Sequence, residues 1–365
     1  MPRPLYKNLA HASLQLGTGN AGLWYDKLCD RWSDDWTLSG DDDGKLDWIE
    51  TVTKERVGLE QLLAESTARM LRLTAAKSGT FGIFVTEGRF VTGLGRSHPV
   101  ENGFAWHPTL GVPYLPGSSI KGLVRAWAER DAEPRPSRDR IDVILGSPVV
   151  AGQVVFLDAC LLAPVQLEAD VMTPHYAGWS ADEPPGDWCR PVPVPFLVTA
   201  SQSAFAFSVV PRRATDRSAL GEVFAWLRAA LQGAGAGAKT SVGYGRFRFD
   251  ESKTEAWKKQ LDKESSAQVD AARRAQAEQT PEGRWSLVLE GKAEREILDL
   301  VRIHLDKEPI PDPADRRAFA KAVAATGLPE FWRKGQKRDP MTQVGTAKLK
   351  ERASLIESHG TAGEP

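Results

Sequence analysis

The sequence is poor in cysteine and has almost no net charge. Cys29, Cys160 and Cys189 are its three cysteines in 365 residues. They lie far apart with no CxxC pair, which argues against a disulfide framework or a zinc site and for free thiols in a reducing compartment. The formal charge of −1 excludes a bulk polycation. A nucleic-acid partner would be held by a local patch or within an assembly. No apolar run approaches the roughly 20 residues of a membrane span. The opening "MPRPLYKNLAHASLQL" lacks the basic, apolar and cleavage regions of a signal peptide. A soluble, cytoplasmic protein with no membrane partner is expected. Paired carboxylates at metal spacing are also missing. "DDDGKLDW" lacks the spaced ligands and closing Glu of a calcium loop.

What is present reads as an α+β chain. Residues 1–50 read as irregular, with an acidic, Trp-rich stretch that predicts a solvated loop anchored by its tryptophans. Lys54 to Lys77 has the apolar spacing of a helix. "TFGIFVTEGRFVTGLG" predicts a strand or hairpin, and "GVPYLPGSSIKGLVRAWAERDA" a turn followed by a helix to about Arg130, capped by Ser118 or Ser119. "AGQVVFLDACLLA", "VQLEADVMTP", "VPFLVTA" and "SAFAFSVVP" each predict one strand. "SALGEVFAWLRAALQ" predicts a helix and "YGRFRF" a strand. The order fits a ferredoxin-like (RRM-like) domain with hairpin and loop insertions over residues 1–250. Residues 251–280 are charged and poor in large apolar side chains, so a linker or exposed helix is expected there. Residues 281–365 read as a small helical module with a frayed tail, in which Gly327 and Pro329 stop a helix that starts near Asp315.

"GAGAGAKTSVGYGRF", from Gly233 to Phe247, looks like a phosphate loop but fails the test for one. A P-loop needs G-x-x-x-x-G-K-[ST] between a strand and a helix. Ala238 stands where the final glycine belongs. The expected order is reversed, so the negative end of a helix dipole faces the loop. No nucleotide or other cofactor is expected. Two readings remain for the segment. It is either a flexible connection or a surface for an extended polyanion. In the second, Gly235 and Gly237 allow close backbone approach, Lys239 and Thr240 meet phosphate, and Tyr244 offers a ring to a base.

A second candidate is the turn-to-helix segment around Ser118, Ser119, Lys121 and Arg125. Free amides and cations there suit phosphate, although an ordinary capped helix explains it equally. The Gly/Pro-rich loop with Arg96, His98, Asn102 and His107, and His175 in "MTPHYAGW", supply nuclease candidates beside Asp158 and Asp170. They suit an RNA contact or the support of their own loops equally well.

Five blocks in order carry a resemblance: "VTGLGRSHPVENGFAWHPTLGVPYLPGSSIKGLVRAWA", "AGQVVFLDA", "LEADVMTPHYAGW", "GDWCRPVPVPFLV" and "GAGAKTSVGYG". They resemble the RAMP superfamily of CRISPR-associated proteins and, more narrowly, the sixth-subunit family of the type III-B (Cmr) effector complex. The resemblance implies a non-catalytic subunit that binds crRNA and caps the 3′ end of a ribonucleoprotein that recognises and degrades foreign RNA. It implies crRNA, target RNA and other Cmr/RAMP subunits as partners. It also carries RNA contact onto Ser118, Ser119, Lys121, Arg125, Lys239, Thr240 and Tyr244. By analogy with related subunits, the segment after Met172 is expected to form a protruding hairpin that wedges between bases. A RAMP endonuclease that processes repeat RNA is the alternative.

Overall fold

The computed structural model describes residues 19–33, 38, 41–174, 191–339 and 344–360. The chain divides into two compact units, Met1–Leu261 and Asp262–Pro365.

The centre of the first unit is β1 (Thr80–Thr86). Its side chains alternate between two apolar layers, Phe81 and Ile83 on one side and Phe84 on the other. With both faces buried, β1 takes a partner along each edge. It pairs antiparallel with β7 (Ala204–Pro211) and with β8 (Phe247–Phe249). β7 pairs in turn with β3 (Val154–Phe156) and β4 (Ala159–Leu161), and β4 with the short β2 (Tyr114–Leu115). The order across the sheet is β2-β4-β7-β1-β8. Helices α4 (Gly117–Arg130) and α6 (Leu220–Gly233) follow β2 and β7. Each buries one stripe: Ile120, Val124 and Ala128 on α4, and Val223, Leu227 and Leu231 on α6. A second sheet consists of β5 (Leu167–Met172) and β6 (Val194–Thr199).

Four segments differ locally from the expectation. Residues 19–50 are not irregular throughout. They hold α1 (Ala21–Lys27), capped by Asn20, and α2 (Asp41–Glu50). Trp24, Tyr25 and Trp48 are buried and stacked on one another, so their aromatic burial overrides the acidic composition. The helix expected from Lys54 starts later, as α3 (Glu60–Ala76). Val57 is held in a bridge with Val165, and Gly58 has φ +103°. "GRFVTG" is not a hairpin strand; Phe90 alone bridges Thr199. Finally, "VVFLDACLL" breaks into β3 and β4. Phe156 pairs with Val209 but Cys160 with Ala206, so one extra residue is inserted. This β-bulge turns Asp158 out of the ladder.

After β8 comes α7 (Glu251–Ala277). Its start is pinned to the sheet because the Thr254 hydroxyl accepts the Ile83 amide at 2.9 Å. The second unit holds α8 (Pro281–Leu289), α9 (Glu294–Arg302), α10 (Pro313–Ala325), α11 (Leu328–Arg333) and α12 (Thr346–Gly360). They enclose their own core, built on Val301, Phe319, Val323, Trp332, Leu349 and Ile356. Gly327 ends α10 with φ +73°, as its position predicts, and Pro329 opens α11 rather than closing α10.

Candidate functional site

The bulge at Asp158 sets the start of α4. The Gly117 amide donates to Asp158 Oδ1 at 2.7 Å. Neither expected serine caps the helix. Pro116 is the N-cap and makes no side-chain bond, and both serines lie in the first turn. A carboxylate from a distant strand therefore satisfies one of the free N-terminal donors and meets the positive end of the dipole. Asp158→Ala is expected to cost about 1–2 kcal/mol, the range for a lost charged cap, read as a lowered midpoint in urea unfolding. An unchanged midpoint would show that the cap contributes nothing.

Ser118, Ser119 and Lys121 are exposed. Arg125 is committed internally. It donates to Glu129 and Asp142 at 3.0 Å each and to the Gly146 carbonyl, tying α4 to α5 (Arg138–Leu145).

The glycine-rich segment is a folded loop, not a loose tether. The Ala236 amide donates to Gly245 O at 2.7 Å, Ala238 N to Val91 O at 2.9 Å, and Gly245 N to Arg89 O at 2.8 Å. Two glycines are required by this knitting. A Cβ on Gly237 (φ +88°) would lie 2.2 Å from Val91 O, and one on Gly245 (φ +68°) 1.9 Å from Ala236 O. The loop follows α6 and precedes β8, the order that disqualifies a P-loop.

The loop, one face of α4 and the 92–95 segment meet around a cleft of about 480 Å³. Of the expected residues, Ser119, Gly235, Gly237 and Thr240 line it. Thr92, Leu94, Leu123 and Arg130 also line it, and sequence reading missed them. A signal existed: at 100° per residue, positions 119, 123 and 130 fall on one helical face, about 160–180° from Lys121. Arg130 is exposed, and its Nε donates to Ala126 O at 3.3 Å. No Asp, Glu or His lines the cleft among the described residues. It offers backbone amides, two threonine hydroxyls, a serine hydroxyl and one guanidinium, which are donors for an anion or for sugar hydroxyls.

Lys239 and Tyr244 are not brought to this cleft. Lys239 Nζ sits over the Phe196 ring, 5.0 Å from its centroid. The Tyr244 hydroxyl donates to Asp170, and its ring is tilted against Phe196. Arg89 donates to Glu168 at 2.8 Å and to Asp170 at 2.7 Å. These contacts fasten the loop to β5 and β6. Burial opposes ionisation of Asp170. The Tyr244 hydroxyl, the Val171 amide and Arg89 outweigh it and hold the carboxyl below the usual range. A depressed folded pKa gives stability that is present above the unfolded value and lost as pH falls through the folded one. The melting temperature of the wild type is therefore expected to fall below about pH 4, where free carboxyls protonate. Asp170→Asn should start lower and show a shallower acid decline. Parallel curves would place the acid sensitivity elsewhere.

The 96–107 loop is also built inward. His98 Nε2 lies 2.9 Å from Tyr25 O, and its ring stacks on Tyr25 at 4.4 Å. Burial pushes its pKa down. His107 accepts the Leu110 amide at Nδ1, 3.2 Å away, and packs edge-on to Tyr114. Burial lowers its pKa against the pull of Asp158. The Arg96 side chain is exposed, while Asn102 is partly buried and its amide bonds Val100 O. Arg96, Asn102 and His107 do not line the cleft. His175 and the expected hairpin lie outside the described residues.

Comparison with known proteins places this geometry. Residues 83–248, which run from β1 to β8, match the RAMP superfamily. The CRISPR system Cmr subunit Cmr6 of Pyrococcus furiosus is 31% identical over 46% of this chain and 66% of its own length. The Cmr6 subunit of Saccharolobus solfataricus is 28% identical over 40% of this chain and 48% of its own length. The chain thus spans less than two thirds of either relative. A solved type III-B Cmr-beta complex bound to cognate target RNA contains a chain 25% identical to this one, with a TM-score of 0.46 over 57% of this chain and 71% of that one. The segment that holds the cleft thus matches the RAMP superfamily, and the chain is similar to Cmr6 subunits of CRISPR systems.

Proposed function

We propose that this protein is a non-catalytic crRNA-binding subunit that caps the 3′ end of a type III-B CRISPR ribonucleoprotein, with RNA running across the cleft between the glycine-rich loop and α4. The observation that carries this reading is the lining of the cleft. Its polar groups are backbone, hydroxyls and one arginine, set among leucines and small residues, and among the described residues no carboxylate lines it to repel phosphate. Contacts of that kind grip the backbone without reading bases, so any guide sequence can be held. The relatives are named as Cmr6 subunits of CRISPR systems, which supports the setting proposed for this chain: a CRISPR complex in the cytoplasm, with other Cmr/RAMP subunits, crRNA and target RNA as partners. The strand order β8-β1-β7-β4, with α4 and α6 as crossovers, supports a ferredoxin-like reading of the domain.

The proposal of a binding rather than a cutting subunit rests on the same lining, which among the described residues holds no general acid or base of the histidine or carboxylate type. His98 and His107 are engaged with backbone groups of their own surroundings. RNA carrying 4-thiouridine, irradiated with the purified protein, is expected to cross-link within residues 117–130 and 234–240. Cross-links confined to other segments would remove the cleft as the RNA path. Cutting of repeat RNA at a single position without metal would favour the endonuclease.

A further inference from the structure

The polar groups that line the cleft differ in kind from one end of α4 to the other. Ser119 stands in the first turn, and Arg130 is the last residue of the helix. The rise of an α-helix separates them by roughly 16 Å. Leu123 lies between them on the same face, and Leu94 and Leu115 add further apolar lining. The one cation of the lining therefore sits at one end, with leucines between it and the serine.

The Ser119 end is a poor seat for phosphate. A helix N-terminus offers an anion its free amides, but here they are engaged. The Gly117 amide donates to Asp158 Oδ1 at 2.7 Å, and the amides of Ser119 and Ile120 donate to Pro116 O at 2.9 and 3.1 Å. The Asp158 carboxylate already meets the positive end of the dipole, and it repels a second anion brought beside it. The facing loop has spent donors as well. The amides of Ala236 and Ala238 are bonded to Gly245 O and Val91 O.

Hydroxyls are left free. Those of Ser119 and Thr240 have no hydrogen-bond partner among the described residues. Thr92 is the more telling case. It is only 3% exposed, and its hydroxyl has no partner there either. The hydroxyls of Thr67, Thr199 and Ser208 are also unpartnered, but they are sealed inside the protein. The Thr92 hydroxyl is not sealed, and the cleft is what Thr92 lines. A nearly buried hydroxyl beside leucines favours a neutral partner that both donates and accepts, since a charged one pays more to leave water. On an RNA strand the 2′-hydroxyl is that group, and DNA lacks it.

Taking the cleft as the RNA path, on which this step rests, we infer that the hydroxyls of Thr92, Ser119 and Thr240 read the ribose 2′-hydroxyls of the bound strand while Arg130 holds a phosphate. The cleft then selects RNA over DNA of the same sequence.

The test uses the full chain and three 20-nucleotide strands of equal charge: oligouridine RNA, its 2′-fluoro analogue and oligodeoxyuridine. The 2′-fluoro strand keeps the sugar pucker of RNA and loses the hydroxyl. By fluorescence anisotropy the wild type is expected to bind RNA about tenfold more tightly than either of the others, the loss of one or two hydrogen bonds. Thr92→Val removes the hydroxyl at nearly constant shape, and it should cut the preference for RNA about threefold or more. Ser119→Ala/Thr240→Val, at positions that are not buried, should do the same, and it carries the test if the threonine at position 92 proves necessary for folding. Arg130→Glu should weaken all three strands by a similar factor and leave the preference intact. Equal binding of the three strands by the wild type overturns the inference, and so does a preference that survives in full in the folded hydroxyl variants. If 4-thiouridine cross-links still fall within residues 117–130 and 234–240 in those cases, the cleft stands as the RNA path and only the reading of the ribose fails. Absence of those cross-links defeats the path itself and this inference with it.

Discussion

Gly245→Ala is expected to be the most damaging small substitution in the glycine-rich loop. An alanine there would adopt φ +68° with its Cβ 1.9 Å from Ala236 O. The backbone strain alone is worth about 1–2 kcal/mol. Relief of the clash breaks the 2.7 Å bond from Ala236 N to Gly245 O, which adds about 1–2 kcal/mol for buried groups left unpaired. A total near 3 kcal/mol corresponds to a fall of about 6–12 °C in Tm for a domain of this size. Gly243→Ala is the matched control. Its φ is +97°, but a Cβ would meet nothing within 4 Å, so only the strain of about 1–2 kcal/mol remains. Differential scanning calorimetry should separate the two by several degrees. Equal losses would mean that the loop is not knitted as described. Because the loop forms one wall of the cleft, Gly245→Ala should also reduce RNA retention, whereas Gly243→Ala should largely keep it.

The second large effect separates two arginines on one helix. Arg130 lines the cleft, whereas Arg125 bonds Glu129, Asp142 and Gly146 O. Arg130→Glu should lower affinity for single-stranded RNA about tenfold or more and shrink the salt slope by about 0.7, for one lost phosphate contact. Its Tm should stay near that of the wild type, since exposed positions rarely matter to stability. Arg125→Ala should do the reverse, costing about 1 kcal/mol of stability for a partly exposed network and leaving the salt slope unchanged. Fluorescence anisotropy between low and moderate salt reads the first effect and urea unfolding the second. If Arg125→Ala lost RNA and Arg130→Glu did not, RNA would run along the opposite side of α4.

The contrast shows where sequence reading reaches and where it stops. The strands and helices of the RAMP domain were legible because periodicity reports burial, and β1, α4 and α6 are buried as their apolar spacing predicts. The two motifs were also legible as a pair, and Ser119, Gly235, Gly237 and Thr240 share one cleft. What could not be read was which cations were already engaged. Arg125 and Arg130 look alike in "LVRAWAER", but Asp142 and Gly146, which engage one of them, arrive from α5 and the turn after it. Likewise, Tyr244 reads as an open ring until β5 brings Asp170 to its hydroxyl. The cap on α4 was missed for the same reason. Asp158 lies 41 positions from the amide it accepts, and a β-bulge aims it there. In the N-terminal region composition misled. Acidic residues suggested a solvated loop, while Trp24, Tyr25 and Trp48 pack helices against the domain.

The measurement that bears most directly on the central claim is a tagged pull-down of the full chain from its native host, with sequencing of the bound RNA and identification of the bound proteins. The account predicts spacer RNAs carrying a repeat-derived 5′ tag, together with other RAMP subunits. It also predicts that Arg130→Glu reduces the RNA recovered per molecule of protein. Recovery of the chain with neither CRISPR RNA nor RAMP partners would contradict it, and the cleft between the glycine-rich loop and α4 would then have no assigned ligand.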